Sequence, residues 1–114
     1  KMGINSTDVA YGFGQMGSAY LNDTGAYTPP TGKIIVGIQI LDDLTKFTLL
    51  TPSNDTGSNS YFIGTTTVAA ATGNGLNAEA IGTSTTFKAG LTLVGRFSAV
   101  TLGAGSVIMY LAEA

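Results

Sequence analysis

The chain has 114 residues, which suits a single domain large enough to bury a core without covalent staples. It contains neither cysteine nor histidine, which excludes disulfides, thiolate or imidazole metal sites, and Ser–His or Cys–His nucleophile pairs. Charged residues make up 11% of the chain, the net charge is −2, and the five basic residues (Lys1, Lys33, Lys46, Lys88, Arg96) are scattered; a nucleic-acid footprint needs them clustered.

Residues 1–32 mix glycine with aromatic residues and end at Pro29-Pro30, which forces extended backbone. They read as an extended N-terminal arm with one short strand near residues 9–13. The helix-like stretch 16–21 is too short to stand alone. The opening Lys1-Met2-Gly3-Ile4-Asn5 lacks the apolar stretch of a secretory signal, and Met2 reads as the natural start.

Residues 33–41 are β-branched and apolar. Simple alternation places Ile34, Val36, Ile38 and Ile40 on one face and Ile35, Gly37, Gln39 and Leu41 on the other. Asp42-Asp43 marks a turn, residues 46–51 form a second strand, and Pro52 stops it, so 33–51 reads as a hairpin. Residues 53–60 contain only turn formers, 61–69 read as a strand, and 70–80 as a loop.

The last third is dense in strand. Thr85-Thr86-Phe87 leads to a tight turn at 88–90. Residues 91–102 alternate, with Leu91, Leu93 and Phe97 on one face and Val94, Val100 and Leu102 on the other. Gly103-Ala104-Gly105 reads as a hairpin turn returning through residues 106–111. No stretch of twelve residues keeps an apolar stripe at helical spacing, and no apolar run reaches the roughly 18 residues a spanning helix needs. The expected fold is all-β: a small antiparallel β-sandwich or barrel, jelly-roll-like, over residues 33–114, preceded by the arm of residues 1–32.

The chemical motifs are weak. Gly12-Phe13-Gly14-Gln15-Met16-Gly17 matches G-x-G-x-x-G, but Gly25 and two prolines follow too soon for the helix that would hold a pyrophosphate, so these glycines serve turns. Asn54-Asp55-Thr56-Gly57-Ser58-Asn59 lacks the acidic spacing and closing Glu of a calcium loop and reads as a surface turn. Three N-x-[ST] sequons, at Asn5, Asn22 and Asn54, are of the number chance gives in such a composition. Asn-Asp-Thr-Gly at 22 and 54, and Ile-Gly-Thr at 63 and 81, share no period and are reused turn and strand chemistry. The seven carboxylates are dispersed, and no cofactor or enzymatic activity is expected.

The informative feature is the surface. Sixteen glycines and 17 threonines stand where charges normally would, and mean hydropathy is +0.30. So weakly charged a surface favours association, so the chain is expected to live assembled. Tyr11, Phe13, Met16, Tyr20 and Arg96 are the candidate contact residues. Arg96 is either a solvated edge residue or the partner of an acid on a neighbouring copy.

Phe87-Lys88-Ala89-Gly90-Leu91-Thr92-Leu93-Val94-Gly95-Arg96-Phe97, followed by a glycine turn and Val107-Ile108-Met109-Tyr110-Leu111, resembles small virion proteins of marine tailed bacteriophages. The opening Met2-Gly3-Ile4-Asn5-Ser6-Thr7 and the segment Tyr11-Gly12-Phe13-Gly14-Gln15-Met16-Gly17-Ser18 are similar as well. The likeness touches about half of the chain and rests on structural motifs. It implies a capsid decoration or cement protein located in the virion. Such a protein binds as a homo-oligomer, expected to be a homotrimer, to a major capsid or other virion protein, and not to nucleic acid or membrane. The alternative is a host-surface or carbohydrate-binding β module, in which Tyr11, Tyr20, Tyr27 and Tyr61 stack on sugar rings.

Overall fold

The computed structural model describes residues 15–53, 62–65 and 80–114. These residues form five strands and no helix: β1 (Ser18–Leu21), β2 (Lys33–Ile40), β3 (Lys46–Pro52), β4 (Thr92–Ala104) and β5 (Val107–Glu113). The all-β expectation holds. The strands make one antiparallel sheet in the order β1-β5-β2-β4-β3.

Both expected hairpins are wrong in their pairing. The turns fall where the glycines and aspartates put them, but β2 and β3 do not pair, and neither do β4 and β5. β4 lies beside β2 on one edge and β5 on the other. A turn signal fixes where the chain reverses and not which strand becomes the neighbour.

The long β4 explains the arrangement. Its start meets the end of β2, where Ile40 N donates to Leu91 O at 2.8 Å. Its far end returns to that same place, where Leu41 N donates to Ser106 O at 3.0 Å. A straight strand of 13 residues would run ~43 Å and could not come back. The first half of β4 pairs with β2 up to Phe97, opposite Ile35, and the second half pairs with β3. Register slips on both sides between residues 94 and 99, and such bulges bend a strand.

A further bulge at Val36 moves the faces of β2. Ile35, Ile38 and Ile40 are all in the core, and Val36 is not, so simple alternation assigned Ile35 and Val36 wrongly. In β4 the slip at Ser98 brings Val100 and Leu102 onto the core side with Phe97, where alternation separated them. Phe47, Leu50, Val107, Met109 and Leu111 complete the core, and Phe87 meets Phe47 edge to face at 5.6 Å.

The stretch read as an arm contributes β1, paired with β5 from Ser18↔Tyr110 to Leu21↔Val107. Residues 16–21 are therefore not helical: β5 offers an edge whose hydrogen bonds and apolar neighbours outweigh the local preference. Residues 62–65, read as part of a strand, form none; Thr65 instead caps β3, its N–H donating to Leu50 O at 2.9 Å while its hydroxyl accepts from Leu50 N at 3.0 Å. The expected strand near residues 9–13, the loop 54–60 and most of 66–80 lie outside the described residues.

Candidate functional site

The register places two rows of side chains on the face away from the core. One row runs Ser18, Tyr110, Gly37, Val94 across β1, β5, β2 and β4; the other runs Tyr20, Ile108, Gln39, Thr92. None of these eight residues is charged. The alternate rows, such as Ala19, Met109, Ile38 and Leu93, pack inward. The sequence folds this way because alternation across the four strands puts the apolar set on one side and leaves threonine, glutamine, tyrosine and isolated aliphatics on the other.

Charged groups sit at the sheet ends and turns instead. Lys33 Nζ donates to Met16 O at 2.8 Å. Asp42 accepts from Ser106 Oγ at 2.7 Å, Asp43 from Ala89 N at 3.0 Å, and Asp23 from Gly25 N at 2.9 Å. Arg96 is the one charge that borders the outer face among the described residues.

Arg96 stands at the bulge, and there the face dips into a shallow groove of about 360 Å³ lined mainly by Val36, Gly37, Thr92, Val94, Arg96 and Tyr110. The glycines shape it. A β-carbon on Gly37 would lie 3.6 Å from Tyr110 Cδ2, so the Tyr110 ring rests over Gly37. A β-carbon on Gly95 would lie 2.8 Å from Phe97 Cζ, so only glycine leaves Phe97 room in the core beneath. Val94 on the groove rim is 75% exposed, and Tyr20 on the same face is 63% exposed.

Of the candidate contact residues, Tyr20 and Arg96 lie on this face, on β1 and β4, with β5 and β2 between them and Arg96 four residues along β4 from Thr92, the residue in Tyr20's row. Met16 is half-buried at the end of β1, where its N–H donates to Leu111 O at 3.1 Å. Tyr11 and Phe13 lie outside the described residues, as does Tyr61. Tyr27 is half-buried against the core, exchanging main-chain hydrogen bonds with Val100 at 2.8 and 3.0 Å; burial raises its phenol pKa above the usual 10.0. Tyr110, Val94, Val36 and Gln39 were missed, although plain alternation outward from Leu93 and Met109 marks Val94 and Tyr110.

Gly17, the last glycine of the G-x-G-x-x-G match, has φ 127° and is followed directly by strand β1, as a turn glycine is. Among the described residues no three acidic side chains come together to hold a metal ion. No family model, curated protein or solved structure matches this chain.

Proposed function

We propose that the chain is an assembly protein whose outer sheet face is covered by other protein, and that it serves as a virion structural component of the capsid decoration or cement kind. The observation that carries the first part is the composition of that face: two rows of four residues without a charge, bordering an apolar groove. A face of this kind associates readily, because covering its two rows desolvates no ionised group and only Arg96 stands at the groove beside them. The virion assignment rests on the resemblance of residues 87–111 and of the N-terminal segments. Decoration suits the physics, since many modest contacts repeated over neighbouring capsomers add through multivalency. The domain is read as a small closed sandwich or barrel: β4 carries the chain from β2 to β3, and the core lies against all three.

Two measurements test this reading together. The full chain is expected to sediment with purified phage capsids of the resembling group and to exceed its monomer mass in solution. A chain that stays monomeric and ignores capsids contradicts it. The same mass reads the copy number, three in the expectation from the resemblance.

A carbohydrate-binding module is the second reading, favoured by Tyr20 and Tyr110 on one face, with Tyr20 largely exposed. It predicts glycan-array signal that Tyr20→Ala abolishes.

A further inference from the structure

We propose that a second copy of this chain adds to the open edge of β4 at residues 91–95, antiparallel, about a two-fold axis at Leu93. The inference rests on the self-association proposed above and names the surface and its geometry.

The edge is defined by the register. Ile40 bonds Leu91 and Gly90 across the β2–β4 junction, so alternation makes Ile38↔Leu93 a hydrogen-bonded pair. The N–H and C=O groups of Thr92 and Val94 then point away from β2. One step further on, the Arg96 carbonyl points the same way and accepts from Ser53 N at 2.7 Å. Among the described residues, β3 covers that edge only beyond Arg96, and none pairs with it at 91–95. Two other stretches are occupied: Thr65 bonds Leu50 on the far side of β3, and Tyr27 bonds Val100 on the second half of β4.

Monomeric sheets guard open edges with Lys, Pro or inward charges. β3 has Lys46 and Pro52. Residues 91–95 have neither, and Leu91 and Val94 are 49% and 75% exposed. In a two-fold pairing centred on Leu93, Thr92 of each copy faces Val94 of the other. A pair of main-chain hydrogen bonds forms on each side of the axis, and the two grooves join into one apolar strip.

Charge selects this partner over the other open edge, β1. In the two-fold arrangement Arg96 falls opposite Gly90 of the second copy, next to the Ala89 amide that the Asp43 carboxylate holds. Were β1 to pair with this edge in full overlap, Ser18 facing Val94, Arg96 would fall opposite Met16, whose carbonyl holds the Lys33 ammonium at 2.8 Å. Opposite charges meet in the first arrangement and like charges in the second. A two-fold contact gives even copy numbers, or joins two rings, where the resemblance alone implies three copies.

The chain has no cysteine, so cross-linking reads the contact directly. Thr92→Cys and Val94→Cys chains are mixed and oxidised, since facing residues in such a pair have Cα atoms ~5.5 Å apart, within disulfide reach. The expected result is a disulfide between Cys at 92 of one chain and Cys at 94 of the other, in excess over either homodimer. Val94→Lys is expected to reduce self-association at least tenfold with an unchanged unfolding midpoint. Absence of the 92–94 cross-link, or preferential cross-linking of Ser18→Cys with Val94→Cys, overturns the proposal. Capsid binding by Val94→Lys separates the two readings: if it persists, edge pairing is not what attaches the protein. A wild-type chain that pairs through 92 and 94 but never binds capsids overturns the virion reading alone.

Discussion

The Tyr110 hydroxyl donates to Gln39 Oε1 at 2.7 Å, tying β5 to β2 on the outer face and holding the ring down over Gly37. This bond turns a half-buried tyrosine into a fixed wall of the groove. Replacing Tyr110 with Phe keeps the ring and removes the donor. We expect a loss of about 0.5–1.5 kcal/mol in denaturant unfolding, with self-association nearly unchanged. Tyr110→Ala removes the wall itself and is expected to weaken association by more than it weakens the fold. Equal losses in both assays would place Tyr110 in the fold alone.

Gly105 and Gly90 separate two kinds of glycine requirement. Both have positive φ, 90° and 94°. A β-carbon on Gly90 would meet nothing within 4 Å, whereas one on Gly105 would lie 2.7 Å from the Cα of the buried Thr45. Gly90→Ala is expected to cost about 1–2 kcal/mol from backbone strain. Gly105→Ala adds a steric clash with fixed backbone and is expected to cost at least about 1 kcal/mol more. Urea midpoints of the two variants check the order.

Phe97 is fully buried at the point where β4 passes from β2 to β3. Phe97→Ala is expected to destabilise by about 3–5 kcal/mol, through lost transfer energy and the cavity left between the two halves. Leu49→Ala, on the exposed side of β3, is expected to fall within about 0.5 kcal/mol of wild type. A small effect at Phe97 would mean that β4 does not turn over a shared core.

Tyr27 gives a pH dependence. Burial raises its folded pKa above 10.0, the value taken for the unfolded chain. Its contribution to stability is therefore fully present below pH 10.0 and is lost as pH rises through the folded pKa, because the unfolded chain ionises first. Tyr27→Phe is expected to flatten the alkaline fall in unfolding free energy and to leave the curve near neutral pH unchanged in shape. An identical alkaline limb in both proteins would remove Tyr27 as its source.

Much of the fold was legible residue by residue. The strand content at 33–40, 46–52, 92–104 and 107–113 follows from β-branched alternation, and the turns at Asp42-Asp43, Gly90 and Gly105 from their chemistry. Pairing was not legible, because β4 bends through bulges at 95–98 and carries its second half away from β2. One extra residue at Val36 and one at Ser98 reverse the faces on either side, which no period-two reading anticipates. Tyr20 and Arg96 were found as aromatic and charged exceptions in uncharged surroundings. Val94 stands on the face opposite Leu93 by plain alternation, but which of the two faces meets the core is settled only by the neighbouring strands.

That the uncharged face is covered by copies of this chain is tested most directly by the molar mass of the intact chain, measured by light scattering over a dilution series. The expected mass is a multiple of 11.6 kDa that falls toward that value on dilution or with Val94→Lys. A mass of 11.6 kDa at every concentration, for wild type and variant alike, contradicts self-association through this surface.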